Sequence, residues 1–255
     1  MHEVDPFSLK AFYVGFENYR ELLSSSDYWQ SVRVSCYFVL LTTIPSVVLS
    51  LAIAIGLNAQ PFATSLFRTI FLAPVAISSA MAAMLWIFLY NPTAGYLNYV
   101  LEAVGIPGPN WLGSPRWALP GVALATVWRE IGFNVIFFLA GLSSIPRDLL
   151  EAAAIDGASK WQRFRYVVLP ILSPTVFFVA VVSVINSFQS FGQIHILTGG
   201  GPANASNVLV YKLYRDAFQN FRTGFASAQA VLLFALILVA TVVQFSAARR
   251  RVHYG

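Results

Sequence analysis

The chain has 255 residues, 57% of them hydrophobic and only 11% charged, and its mean hydropathy is +0.66. Soluble domains carry about 25% charged residues, so this composition excludes an ordinary soluble domain and indicates a membrane protein. The net charge of +5 fits the Lys/Arg bias of cytoplasmic loops, and no basic stripe interleaved with aromatics points to a nucleic-acid partner.

Residues 1–33 are polar and aromatic, lack a signal-peptide pattern, and are expected to form an extracytoplasmic segment. Five apolar segments follow, near 34–57, 69–90, 118–142, 171–197 and 224–247. Each meets the requirement of about 20 helical residues for a bilayer core. Short alternating segments are absent, which argues against a β-barrel. Backbone polar groups in lipid must be satisfied within the chain, so helices remain. The expected fold class is an all-α integral membrane protein, with a transmembrane domain over 34–247 and a tail over 248–255. Pro45 and Pro74 are expected to kink their spans. The prolines of 91–117 predict a loop or short helix, and Trp111 and Trp117 suit a membrane interface.

Charge at the span ends sets the orientation. With the C-terminus inside, the inner segments hold Arg68, Arg147, Lys160, Arg163, Arg165, Arg249, Arg250 and Arg251. The outer segments hold Lys10, Arg20, Arg33, Arg116, Lys212, Arg215 and Arg222. The totals are close, but the inner charges cluster at span ends, where the bias acts most strongly. Five spans then put the N-terminus outside.

Ionisable groups inside spans are costly and normally face a cavity or a partner. Arg129 and Glu130 are such groups. A guanidinium at 129 suits a phosphate, and equally a structural carboxylate. Asn186, Gln189, Ser190 and Gln193 recur at helical spacing, which predicts one polar face lining a pathway, with Arg129 near it and Asn134 joining it. Interhelical hydrogen bonding is the alternative. Phe188 and Phe191 are expected to pack. The glycines 199–201 predict an outside turn.

A charged island over 143–170 interrupts the apolar pattern. Ile145-Pro146-Arg147 predicts a helix start, and residues 147–166 read as helical. Glu151 and Asp156 lie early while Lys160, Arg163 and Arg165 lie late, an order that suits a helix dipole. Gly157 predicts a break into a second short helix.

The spacing Glu151-Ala152-Ala153, Asp156-Gly157, then Val167-Val168-Leu169-Pro170 resembles the signature of inner-membrane permease subunits of binding-protein-dependent ABC importers. Val167 stands where isoleucine is usual. Tyr13–Tyr19, Leu85–Pro92, Gly141–Pro146 and Leu197–Pro202 resemble the carbohydrate-type group. Within that group, Val4–Phe7, Tyr211–Arg215 and Thr241–Phe245 look most like the first permease subunit of sn-glycerol-3-phosphate importers. The resemblance implies an ABC importer permease fold of six spans, so a further helix is expected upstream of Met1. It implies a second permease subunit, two ATPase subunits that use ATP and Mg, and an extracytoplasmic solute-binding protein. The implied location is the cytoplasmic (inner) membrane of a bacterium or archaeon. The implied solute is sn-glycerol-3-phosphate or a glycerophosphodiester; the alternative is a mono- or oligosaccharide. Glu151, Ala152, Ala153, Asp156, Gly157, Leu169 and Pro170 would then form the ATPase-coupling segment. Glu151 would be the charged anchor, the alanines would allow close approach, and Gly157 would supply a bend or close approach.

Other functional classes lack support in the residues. Cys36 is the only cysteine, and His2, His195 and His253 have no ligand spacing, so no metal site is expected. No phosphate-loop motif is present, so this chain is expected to bind no ATP or other cofactor itself. An intramembrane enzyme needs a nucleophile–base pair or His-Glu-x-x-His, and neither occurs, so no catalytic residue is expected. A secondary transporter needs coupling carboxylates in its spans, and Glu130 is the only clear candidate.

Overall fold

The computed structural model describes residues 2–4, 11–58 and 64–248. Arg249–Arg251, most of the expected tail and Asp5–Phe7 lie outside the described residues. Strands β1 (His2–Val4) and β2 (Ala11–Tyr13) pair antiparallel, with Glu3 opposite Phe12. This ribbon departs from the purely helical expectation, but it precedes every span. Helices α1 (Glu17–Ser24) and α2 (Ser26–Asn58) follow. α2 begins well before residue 34 and continues through Pro45.

The second span is not one helix. α3 (Thr64–Ala76) and α4 (Ser79–Leu89) are separate helices, with a break at 77–78 between them. Pro74 lies inside α3, and Ser78 restarts the chain by accepting a hydrogen bond from the Met81 amide. After α5 (Tyr96–Ala103) comes α6 (Ala118–Ser143), then α7 (Arg147–Ile155) and α8 (Lys160–Arg163). A π-helical turn at Phe164–Val168 joins α8 to α9 (Leu169–Phe188). Then come α10 (Gly192–Leu197), α11 (Leu209–Tyr214), a second π turn (Arg215–Gln219) and α12 (Thr223–Ala248). Among the described residues, 4 helical stretches are long and apolar enough to cross a membrane, or 5 with the bent pair as one span.

The π turn before α9 has a local cause. Pro170 lacks an amide proton, and its ring crowds the carbonyl one turn back. A widened turn at Phe164–Val168, closed by the Leu169 amide on the Phe164 carbonyl, lets one continuous stretch run from Lys160 to Phe188.

The chain divides into two compact units, one of Met1–Thr42, Ser78–Thr126 and Ile185–Ala240, the other of Thr43–Ile77, Val127–Val184 and Thr241–Gly255. In the first, α4 packs on α10. A side chain at Gly192 would press on the Ser79 hydroxyl at 2.6 Å, so glycine permits this contact. The 91–117 connection is tied down by Asn98, whose amide nitrogen donates to the Pro92 and Pro109 carbonyls. Its Oδ1 accepts from Trp111 Nε1 at 2.8 Å.

Distant segments of the first unit also meet at Ser35. The start of α11 has no side-chain cap, but the Leu209 amide donates to Ser35 Oγ of α2 at 2.8 Å. Ser35 is 3% exposed. Ser35→Ala leaves that buried amide without an acceptor, which costs about 1–3 kcal/mol. The expected result is a lower melting temperature in detergent; an unchanged one would mean that water serves the amide.

The second unit holds an apolar core of Ala54, Leu57, Val135, Phe138, Leu139, Leu142, Leu172 and Val179. Lipid removes the usual hydrophobic drive between helices, so close packing and interhelical hydrogen bonds hold them. Gly141 of α6 faces Leu172 and Thr175 of α9, each 2.7 Å from an added Cβ. Ser50 of α2 donates to the Ile131 carbonyl of α6.

Candidate coupling segment and pathway residues

The island is two helices with a designed break. Pro146 stands at the N-cap of α7, and Asp148 lies in its first turn. Asp156 closes the helix. The Gly157 amide donates to Ala154, and the Ala158 amide to Ala153. This pair of bonds is a Schellman motif, which needs a left-handed residue at its turn. Gly157 supplies it with φ +80, and nothing lies within 4 Å of an added Cβ. Within this chain the glycine therefore serves conformation rather than close approach. Ser159 then caps α8 through a reciprocal capping box with Gln162: the Ser159 amide donates to Gln162 Oε1 at 2.8 Å, and Ser159 Oγ accepts from the Gln162 amide.

This geometry corrects the single-dipole reading of 147–166. Asp156 sits at the C-terminus of α7, and Lys160 sits at the N-terminus of α8. Both charges oppose their local dipoles. The caps, not charge order, hold the segment.

No residue of α7 or α8 is buried. Glu151, Ala152, Asp156 and Gly157 are exposed, and Ala153, Leu169 and Pro170 are half-buried. Ile155 is 86% exposed. Leu150 of α7 packs against the second unit's core, but Leu149 and Ile155 are exposed, so most of the helix surface is available to another protein.

The pathway candidates are differently placed from one another. α9 ends at Phe188, Gln189 is a turn, and Gln193 lies on α10. The expected single helical face over 186–193 is thus broken, and the span 171–197 is corrected to a stretch ending at Phe188. Asn186 and Gln189 are exposed, whereas Ser190 and Gln193 are buried and share a 3.3 Å hydrogen bond. Ser187, between them, pairs with Thr42 of α2 at 2.7 Å. Phe188 is buried, as expected of a packing residue.

Arg129 and Asn134 belong to the second unit. Asn134 is 2% exposed and donates to Ser183 of α9, so here its amide joins two helices. Arg129 Nε and Glu130 Oε2 are buried without hydrogen-bond partners. Ser46 stands beside the Glu130 carboxylate, and Arg129 lies within electrostatic reach of it. No ion pair joins these neighbours, in keeping with side chains about 100° apart.

A polar cluster that no motif or span pattern marks lies beside the second π turn. Asp216 accepts from Asn220 Nδ2 at 2.8 Å, from Gln229, and from Lys212 at 3.3 Å. Lys212 and Asp216 stand four residues apart, a helical pairing signal that was open to reading. No group of His, Cys, Asp or Glu able to hold a metal occurs among the described residues.

Residues 29–253 match the family of binding-protein-dependent transport system inner membrane components. The chain is similar to the sn-glycerol-3-phosphate transport system permease protein UgpA of Rhizobium meliloti (strain 1021), with 40% identity over 254 residues, 98% of this chain and 86% of the relative. Identity to the protein of the same name from Agrobacterium fabrum is 41%, covering 98% of this chain and 86% of the relative. For that of Pectobacterium atrosepticum it is 38%, covering 100% and 86%. Among solved structures, a chain of a bacterial ABC transporter that imports the acidic polysaccharide alginate superposes with a TM-score of 0.84 at 25% identity, covering 93% of this chain and 84% of that one. A chain of the MetNI methionine ABC transporter shares the fold at a TM-score of 0.61 and 18% identity, covering 88% and 97%.

Proposed function

The chain belongs to the family of binding-protein-dependent transport system inner membrane components, and on that premise we propose that it forms half of an sn-glycerol-3-phosphate importer's membrane pathway. The class is an ABC importer permease, multi-pass in the inner membrane. ATP hydrolysis belongs to a separate subunit, and the permease binds no cofactor itself. The importer works with a solute-binding protein. The finer assembly proposed is a second permease subunit and two ATPase subunits, with the N-terminal segment outside and 143–170 in the cytoplasm.

One observation carries the solute: identity of 38–41% to the glycerol-phosphate permeases over nearly the whole chain. An oligosaccharide is the second reading, supported by the alginate importer's TM-score of 0.84, but its identity is only 25%. The test is uptake of labelled sn-glycerol-3-phosphate into proteoliposomes holding the assembled importer, its binding protein outside and ATP inside. Uptake is expected, with competition by glycerophosphodiesters. Oligosaccharide uptake in its absence would reverse the choice.

Coupling is assigned to 147–157, because this helix touches the chain's own core through Leu150 and leaves Leu149, Glu151 and Ile155 exposed. A helix of that kind transmits closure of the ATPases as rigid-body motion. Pathway lining is assigned to Asn186 and Gln189 first, since Ser190 and Gln193 are buried in this conformation. Amides there replace water around a polyol, and Arg129 can offer a guanidinium to a phosphate. In a Cys36→Ser background, Gln189→Cys should react with a water-soluble thiol reagent about tenfold faster than Phe188→Cys. The native Cys36 is itself exposed, so its removal is required. Equal slow labelling at both positions would put Gln189 against lipid or protein.

A further inference from the structure

The first unit contains a second polar site that none of the roles above uses. Asp27, Asn204, Asn207, Lys212, Arg215, Asp216 and Asn220 line a cavity of about 230 Å³. Every lining side chain is polar. In the orientation proposed above it faces the extracytoplasmic side, since Asp27 opens α2 and the other residues precede α12.

The charges inside are not all spent. Both Asp216 oxygens are occupied by partners within the chain, and Lys212 cancels its charge. Arg215 reaches only Asn204 Oδ1, at a long 3.5 Å, and forms no ion pair among the described residues. Asn207 is 6% exposed, and its Oδ1 is buried with no hydrogen-bond donor facing it. A buried acceptor of this kind is costly unless a ligand or water serves it. Asp27 also lines the wall but forms no ion pair with Arg215, so the cavity offers an unpaired cation and an acceptor lacking a donor.

The wall is firmly held. Ala203 and Asn204 adopt positive φ of 49 and 59, a conformation that persists only where surroundings enforce it. Ser206 Oγ lies 2.7 Å from the Gly201 carbonyl and 2.8 Å from Thr198 Oγ1.

We propose that this cavity is an outer reception site for a small hydroxylated anion, with Arg215 taking the phosphate or carboxylate and Asn207 accepting from a hydroxyl. Pockets for drug-sized ligands span roughly 300–1,000 Å³, so this one suits a smaller solute. The proposal rests on the solute class and orientation argued above, and it places a holding point between release by the binding protein and entry among the spans.

The test uses the assembled importer in nanodiscs without nucleotide or binding protein, and labelled sn-glycerol-3-phosphate as probe. Wild type is expected to bind it saturably. Arg215→Gln and Asn207→Leu should weaken binding at least tenfold, and Arg215→Lys should restore part of it. Basal ATPase activity checks that each variant is assembled. No binding by wild type, or equal binding by all variants, overturns the site. If Arg215→Gln instead weakens only attachment of the liganded binding protein, the cavity receives a protein side chain and the proposal fails. Uptake by the same wild-type importer in proteoliposomes, with binding protein outside and ATP inside, separates the two levels: its presence with an unaffected cavity rejects the site alone, and its absence rejects the solute.

Discussion

Gly157→Val is expected to lower solute uptake and solute-stimulated ATP hydrolysis together, by at least about tenfold, while the subunit still reaches the membrane. The backbone there has φ +80. A non-glycine residue in the left-handed region costs about 1–2 kcal/mol, and a β-branched one is disfavoured further. The local answer to that cost is to unwind the Schellman turn, which re-aims α7. Gly157→Asn separates two causes, because asparagine tolerates this conformation. Nothing within the chain would touch its side chain. Near-normal uptake by the asparagine variant assigns the glycine to conformation. Loss equal to that of valine assigns it to close approach by the ATPase. Normal uptake with valine would remove the segment from coupling. Glu151→Lys gives an independent reading, since Glu151 is exposed and pairs with no cation among the described residues. Losing a buried interfacial charge pair costs about 2–5 kcal/mol, so reversal should reduce coupling by about 30-fold or more.

Gly132→Leu is expected to abolish accumulation of folded permease. Gly132 lies on α6 where Phe71 and Val75 of α3 press against it. A Cβ there would lie inside the van der Waals envelope of the Phe71 carbonyl oxygen and 2.9 Å from Val75 Cγ2. Rotamer change cannot relieve a clash with backbone, so α3 must move away. Overpacking costs about 1–3 kcal/mol even where side chains yield, and helix contact in lipid depends on such small residues. Gly132→Ala should already lower the melting temperature in detergent, with leucine severe. Wild-type stability in both variants would show that α3 does not hold this position in the assembled importer.

The contrast between these two glycines shows what the sequence discloses. Gly157 sits in a local pattern, with alanines before it and Ser159 and Gln162 after it, so its break could be read from neighbours in the chain. Gly132 gives no such signal, because its constraint comes from Phe71, far away in sequence. The apolar segments, the charged island and the family resemblance were all legible, since each depends on composition or short spacing. The break of the second span, the end of α9 at Phe188 and the burial of Ser190 and Gln193 were not. Hydropathy measures the cost of moving side chains out of water. It does not say where a helix may stop, because a backbone break in a membrane is tolerated only where surrounding segments satisfy its polar groups. The sequence by itself therefore determined the membrane class, the approximate spans and the exposed charged island. Tertiary structure alone decided which polar residues remain accessible and which, like Asn134 and Ser187, are consumed in joining helices.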